Sequence, residues 1–371
     1  MFDLYSGNTP SRLNKEHFKG TVNWISSGEL KEHYIYSSKE QISEEAAKSL
    51  KLLPVGTFVI AIYGLEADGV RGTGSITQEP STISQACMSF IPKGVIENEF
   101  LYSWYKKHGN VIGIRYAQGT KQQNLSYDIL EKFRIAYPNT KEQEELNKFI
   151  SLLDERIATQ NKIIEDLKKL KCAIIEKHYR QAKLHKYTIC DLGVPFSVGS
   201  LSKEDLSEEG YECILYGELF TTYGCVINEV KSHTNKIANT TLSQKGDLLF
   251  PSSTTVDAVS LISPSVIDIP NVILGGDMFG IHIDKKFNAY YLSYYINLIA
   301  RKKLAIYAKG STIIHLHYKD IAKAQLLLPD LCEQDKIAKC MMAEDAKIKV
   351  EEQLLTILEK QKQYLLRQMF I

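Results

Sequence analysis

The sequence has no long apolar run. Nothing in its 371 residues approaches the roughly 18 consecutive apolar positions of a membrane span, and the opening MFDLYSGNTP lacks the basic and apolar regions of an export signal. A cytoplasmic chain without membrane contact is expected. The seven cysteines, at 87, 172, 190, 213, 225, 332 and 340, are odd in number and contain no C-x-x-C pair. That indicates neither a disulfide framework nor a zinc site, and reduced, mostly buried thiols are expected. An excess of one charge is missing too: 45 Lys and Arg stand against 44 Asp and Glu, for a net +1. Stand-alone nucleic-acid binders draw much of their affinity from phosphate neutralisation and are usually basic. A nucleic-acid binder of this composition needs local basic patches or a partner that adds charge.

Catalytic signatures are absent as well. No G-x-x-x-x-G-K-[ST] phosphate loop occurs, the spacing of GVRGTGS (Gly69 to Ser75) is wrong for a dinucleotide fingerprint, and no N-P-P-[FY] or D-P-P-[FY] quartet is present to grip an amine for methyl transfer. A metal-dependent nuclease would need two carboxylates and a lysine around a divalent ion. Pro329–Asp330 followed by Asp345, Ala346 and Lys347 offers that pattern. Asp330, however, reads as a helix N-cap, the D-A-K falls inside a helical segment, and the matching places upstream hold Asn139 and D-E-R. His315 and His317 alternate as if on one strand face, but no third ligand suggests a metal. No catalytic residue and no metal site is expected.

What is present is a duplication. AQGTKQQNLSYDILEKFRIAYPNTKEQ (Ala117 to Gln143) returns as AKGSTIIHLHYKDIAKAQLLLPDLCEQ (Ala308 to Gln334). Gly310, Leu316, Tyr318, Pro329 and Gln334 each stand 191 residues after Gly119, Leu125, Tyr127, Pro138 and Gln143, and the register continues through Lys148/Lys339, Asp154/Asp345 and Lys171/Lys362. A repeat of that length is a domain-sized module. Each copy ends in a long helical pattern whose start is signalled twice, by Asn139 with Glu142 and by Asp330 with Glu333. Leu146, Ile150, Leu153, Ile157, Ile164, Leu167 and Ile174 then recur at steps of four and three, interrupted by Gln160 and Lys171. The second copy has Ile337, Met341, Ile348, Leu355, Leu358 and Leu365, with Glu351 and Lys362 at the same breaks. Polar residues in the same places predict that the two helices, each about 60 Å long, are partners.

The remaining parts mix short strand patterns such as TFVIAIYG and DLLFP with glycine-rich loops and helical stretches. WISSGEL corresponds to CILYGEL, VGTFVI to KGDLLF and YSGNTPS to FSVGSLS, with small shifts in offset. The expected fold is α/β (α+β): two similar globular domains, 1–138 and 186–329, separated by an antiparallel pair of long helices, 139–185 and 330–371, as an intramolecular coiled coil with an internal pseudo-two-fold repeat.

The order SGNTPS, WISSGEL, GTKQQNLS, YPNTKEQ and long helix, then GSLS, YGEL, GDLLF, LPDLCEQ and a helix ending LEKQKQYLLRQMF, resembles the specificity subunit of type I restriction-modification systems over essentially the whole chain. The resemblance implies two target-recognition domains, conserved spacer helices, and a non-catalytic scaffold. Its expected partners are double-stranded DNA, DNA adenine methyltransferase subunits and endonuclease/translocase subunits. It also implies that S-adenosylmethionine, ATP and Mg are bound on the partner subunits and none by this chain, and that the DNA target is split and asymmetric. A departure from the family pattern lies at the start: HKYTICDLGVPF precedes the second glycine-serine loop, whereas the first module begins about level with Gly193. Module one therefore looks clipped, and its first strand is the element put at risk. A non-enzymatic adaptor whose modules bind proteins or glycans is the alternative, favoured by the near-neutral charge.

If DNA is the ligand, the loops carry its contacts. Glycine allows close backbone approach; hydroxyl and amide side chains bond phosphates or base edges; Arg and Lys grip guanine. The expected contacts in module one are Ser6, Asn8, Thr9, Arg12, Ser26, Ser27, Arg71, Thr73, Lys121, Gln122 and Asn124, with most weight on Arg12, Arg71, Lys121, Gln122 and Asn124. Module two offers Ser200, Ser202, Tyr216, Ser252, Ser253, Thr254, Lys309, Ser311, Thr312 and His315.

Overall fold

The computed structural model describes every residue except Met1, Asp68, Thr120 and Ile371. It divides into unit 1, Met1–Asn161 with Gln353–Ile371, and unit 2, Lys162–Glu352. None of the described helices is long and apolar enough to cross a membrane.

In unit 1 the strands Phe2–Ser6, Cys87–Pro92, Phe58–Ala61, Gly74–Thr77 and Tyr34–Ile35 lie side by side in that order. The apolar run Phe58–Ala61 is buried at all four positions because it sits mid-sheet under the helix Asn98–Tyr116, which buries Phe100, Leu101, Trp104 and Tyr105. A small sheet of Glu40–Ile42, Val22–Ile25 and Ser81–Ile83 accompanies it. Phe2–Ser6 pairs with Cys87–Pro92 along its length, so the strand placed at risk by the short start is formed.

Unit 2 repeats the topology. Gly193–Ser197, Met278–Ile283, Asp247–Pro251, Ser265–Ile267 and Val226–Ile227 follow in the same order, and in both sheets only the last pair is parallel. The helix beginning at Ala289 covers this sheet as Asn98–Tyr116 does in unit 1. Unit 2 also has pairings without a counterpart, among them Leu206–Ser207 with Ser232–Thr234. His185–Thr188 runs antiparallel to Gln325–Leu328, whereas the matching residues 134–137 form no strand.

The long helices are Thr140–Gln181, here the central helix, and Leu331–Met369, the terminal helix. Asn139 caps the first: its Oδ1 accepts the Glu142 N–H at 3.0 Å and its amide donates to the Glu142 carboxylate at 3.2 Å. Asp330 accepts the Glu333 N–H at 3.0 Å, but Glu333 turns its carboxylate to Lys336 and His178, so only half of the expected box is repeated. The next residue fastens each helix to its domain. Gln143, fully buried, donates to the carbonyls of Val95 (2.7 Å) and Pro138 (2.9 Å) and accepts the N–H of Glu97 (3.0 Å) at the start of Asn98–Tyr116. Gln334 does the same with Pro329 (2.8 Å) and Asn288 (2.9 Å). An isosteric apolar side chain would leave those backbone groups without these bonds.

Within each unit the two helices run antiparallel. In unit 1 Leu146 and Ile150 share a cluster with Leu366 and Phe370, and Asp154 pairs with Lys362. In unit 2 Lys171 pairs with Asp345, Lys168 with Glu352 (2.7 Å) and His178 with Glu333 (2.9 Å). Ile150, Ile164, Leu167, Ile337, Met341, Ile348 and Leu358 are buried, as is the polar break Gln160; at the end of the central helix Ile175, not the expected Ile174, is the fully buried residue. The thiols are less buried than expected: Cys87 and Cys213 are buried, Cys190 and Cys332 exposed, the others between.

Candidate nucleic-acid interface

The duplicated sequence builds one hairpin twice. Gln118 and Asn124 exchange backbone hydrogen bonds of 2.8 and 2.9 Å, as Lys309 and His315 do at 2.8 and 2.7 Å. The turn between them needs glycine. Gly119 and Gly310 have φ of +107° and +123°, and a Cβ on either would lie 2.1 Å from a carbonyl oxygen, that of Gln122 or Ile313. The residue after each hairpin is a buried leucine whose N–H returns to the sheet frame, Leu125 to Ile62 O (2.9 Å) and Leu316 to Ser252 O (2.8 Å). The frame is thus shared while the tips differ: Lys121 and Gln122 stand exposed on one, Ser311 and Thr312 on the other.

Around the first hairpin the structure gathers Arg71, Lys121, Gln122 and Asn124. Arg71 donates to Gln123 Oε1 at 2.8 Å, and its buried Nε has no partner among the described residues. Glu66 accepts the Gln123 N–H at 2.8 Å, which with the nearby Arg71 holds its carboxyl below the ordinary value. Thr73 is turned inward, its hydroxyl on Val70 O at 2.7 Å. A second group lies at the glycine-serine loop. Arg12 makes a bidentate contact with Glu40 (3.0 and 2.7 Å) and lies 4.6 Å from the Phe18 ring centre; Asn8 O accepts the Trp24 indole N–H at 3.0 Å and Asn8 Oδ1 the Thr9 N–H at 2.8 Å. Ser6 and Asn8 are exposed and Ser27 half-buried, whereas Ser26 spends both its N–H and hydroxyl on Glu29.

In unit 2 the second hairpin meets Ser253–Thr254, paired to Ile314–His315. This overturns part of the sequence reading: Ser252 and Ser253 read as a polar loop, yet both are buried, held in the sheet frame by those backbone pairings. Thr254 accepts the Val256 N–H, and Lys309 is tied to Asp320, whose carboxyl it holds low. His315 is exposed, 4.0 Å from Asp277, and lies parallel to the His317 ring at 6.1 Å. The strand ends at His315, so His317 caps a short helix, Tyr318–Ile321, and does not continue the strand face. A cavity of about 530 Å³ opens here, lined by Asp277, Lys309, His315, His317, Lys319 and Asp320. At the other loop Ser200 and Tyr216 are exposed, while Ser202 donates its N–H (2.8 Å) and hydroxyl (3.1 Å) to Asp205, which also holds Lys236.

A sequence model of the family described as the type I restriction modification DNA specificity domain matches residues 1–169 and again 189–360. The chain belongs to that family. The match sets aside the adaptor reading and places the chain with DNA-specificity domains. The MjaIX type I restriction enzyme specificity subunit of Methanocaldococcus jannaschii is 29% identical over 174 residues, 45% of this chain and 39% of that one. The EcoR124I/EcoR124II specificity subunit of Escherichia coli is 31% identical over 168 residues, 44% and 40% of the two chains. The matched stretch thus spans about two fifths of these curated relatives. Among solved structures, the type I restriction-modification S subunit from M. genitalium is similar over all of this chain and 94% of its own, with a TM-score of 0.60 at 17% identity. A chain from work on complex assembly and conformational transition of the type I R-M system gives 0.61 over 93% and 90% at 14% identity. At those identities the likeness concerns the fold.

The specificity-domain frame also explains a motif whose part the sequence left unread. Both G-E-L glutamates reach back three residues: Glu29 accepts the Ser26 N–H at 2.9 Å and Glu218 the Leu215 N–H at 2.7 Å, while their second oxygens take the Lys39 N–H and the Ser232 hydroxyl, each at 2.6 Å. They shape loops. Gln123, Glu66 and Asp277 join the hairpin sites; Gln123 is a neighbour in sequence of the expected Gln122 and Asn124, whereas Glu66 and Asp277 are connected by contacts distant in sequence.

Proposed function

We propose that this chain is the DNA-reading, non-catalytic subunit of a type I restriction-modification complex, with one unit reading each half of a split, asymmetric site. The observation that carries this reading is the doubled hairpin, one frame with two different tips. Equal frames suit one way of meeting a duplex, and unequal tips suit different bases. The groups that remain for DNA are the exposed Ser6, Asn8, Arg12, Lys121 and Gln122 with the half-buried Arg71 and Asn124 in unit 1, and the exposed Ser200, Tyr216, Ser311, Thr312 and His315 in unit 2. Adenine methyltransferase and endonuclease/translocase subunits complete the complex and bring S-adenosylmethionine, ATP and Mg. Exposed apolar residues on the long helices, among them Leu152 in unit 1 and Val350 in unit 2, offer them apolar contact.

The test is a genome-wide map of methylated adenines in cells holding the methyltransferase with either the full chain or residues 1–185. The full chain should mark a two-part asymmetric motif. The fragment keeps one reader and a helix lacking its partner; two copies pairing through that helix should mark a palindrome of the first half-site and its inverse. A continuous motif from the full chain, or the asymmetric motif from the fragment, would defeat the two-reader reading. The purified chain alone should neither methylate nor cleave DNA.

A further inference from the structure

Three polar side chains on the helix that covers the sheet of unit 2 are spent inside the protein. Ser293 donates to the carbonyls of Cys225 (2.7 Å) and Pro264 (3.0 Å), Tyr294 to the Asp345 carboxylate (2.6 Å), and Asn297 to the carbonyls of Pro264 (2.7 Å) and Ser293 (2.9 Å). The repeat carries these residues onto Tyr102, Ser103 and Lys106, in a register fixed by Glu97 and Asn288, which meet the fastening glutamines in the same way. In unit 1 none of the three has a hydrogen-bond or ion-pair partner among the described residues, although Tyr102 and Ser103 are only 6% and 4% exposed. A buried hydroxyl without a partner is costly, and a ligand that bonds it recovers that cost. All three line one cavity of about 690 Å³, walled by Asn98–Tyr116 and by both long helices within unit 1. Its origin is internal to the repeat, because serine stands where unit 2 has the tyrosine that reaches Asp345. Four cations, Lys106, Lys107, Lys362 and Arg367, line it against two acids, Asp154 and Glu359. Lys362 is paired with Asp154, and Lys107 is turned to the carbonyls of Arg367 (2.8 Å) and Phe370. Lys106 and the Arg367 guanidinium are left without a hydrogen-bond or ion-pair partner among the described residues.

We propose that this cavity binds a small phosphate monoester, with Lys106 and Arg367 meeting its charge and the hydroxyls of Tyr102 and Ser103 donating to its oxygens. The excess of two cations over acids in the lining decides the class. A monoester carries about −1.5 to −2 at neutral pH and presents several acceptor oxygens, whereas a phosphodiester of a nucleic-acid backbone carries a single charge. The volume lies in the range of small-molecule sites. No residue of the hairpin at 118–124 lines the cavity, so the site stands whether or not unit 1 reads DNA.

The probe is glycerol 3-phosphate, titrated into the full chain by calorimetry at fixed ionic strength, with dimethyl phosphate as the diester control. Saturable binding with a Kd on the order of 10–500 µM is expected, at least tenfold tighter than that of the diester. Lys106→Gln and Arg367→Gln, both at exposed positions, should each weaken it at least tenfold, and Ser103→Tyr, which places the ring of unit 2 in the cavity, should abolish it. Failure to saturate, equal binding of the diester, or unchanged binding by Lys106→Gln and Arg367→Gln would each overturn the proposal. So would unchanged binding by Ser103→Tyr. Indole fluorescence during urea unfolding checks that each variant keeps unit 1 folded; should Ser103→Tyr fail that check, the two exposed variants decide.

Discussion

In unit 2 the carboxylate of Asp345 is held by Lys171 and, at 2.6 Å, by the hydroxyl of Tyr294, whose ring also lies beneath the lysine ammonium at 5.2 Å. At the matching place in unit 1 Asp154 pairs with Lys362, and Ser103 stands where the tyrosine would be, on the wall of a cavity of about 690 Å³. The lysine comes from the central helix in one case and from the terminal helix in the other, so the pair is the same contact with its donors exchanged. The strand at 325–328 of unit 2 shows the same contrast: it is paired with 185–188, whereas 134–137 of unit 1 pair with no strand among the described residues. The long-range skeleton is therefore held in common while one copy is filled and the other left open. Both tryptophans, Trp24 and Trp104, lie in unit 1, so indole fluorescence follows that unit alone and circular dichroism follows both.

That separation of signals lets the comparison be broken in graded steps. The largest effect should come from a charge in the helix seam. Leu358→Asp in unit 1 and its repeat mate Leu167→Asp in unit 2, both at buried positions, should each cost about 4 kcal/mol. In urea titrations the first should shift the indole transition and the second leave it in place; equal shifts would mean that the units unfold as one. Next come the helix fasteners. Gln143→Leu abandons three backbone partners and Gln334→Leu two, with losses of about 3 and about 2 kcal/mol expected by the same titrations. Smaller again, Tyr294→Phe should cost about 1 kcal/mol by removing one hydrogen bond to a charged group, and Ser103→Tyr, placing a hydroxyl near Asp154, should raise the unit 1 midpoint. A fall on Ser103→Tyr would show that the unit 1 cavity is closed to a ring. The smallest change in stability, none, is expected for Lys121→Ala, which should instead weaken DNA binding by the assembled complex and flatten its dependence on salt in gel-shift titrations.

The helix starts were legible because capping is a local exchange between residues three apart, and two copies of the signal agreed. The polar breaks at Lys171 and Lys362 were legible as positions, though their partners Asp345 and Asp154 lie far away in sequence. The glutamines of the E-Q pairs could be seen as landmarks but not as fasteners, since Glu97, Val95 and Asn288 reach them only after the domain has closed. Ser252 and Ser253 were misread because serine and threonine in a row carry the composition of a turn; the pairing that buries them comes from a hairpin more than fifty residues on. His315 and His317 looked like one strand face because alternation cannot reveal where a strand stops.

The buried Phe370, against Phe100, and the Lys107 ammonium bonded to the Phe370 carbonyl belong to the core of the unit that contains the first residues of the chain. Order of synthesis and order of completion are therefore reversed. Everything unit 2 needs has been translated by residue 352, while unit 1 waits for the residues after it. At ordinary elongation rates the stretch between the two parts of unit 1 takes about 10 to 40 s to make. Throughout that time the seam of the central helix near Ile150 lacks its own terminal helix. The seam near Ile150 is thus the last part of the core of unit 1 to be covered.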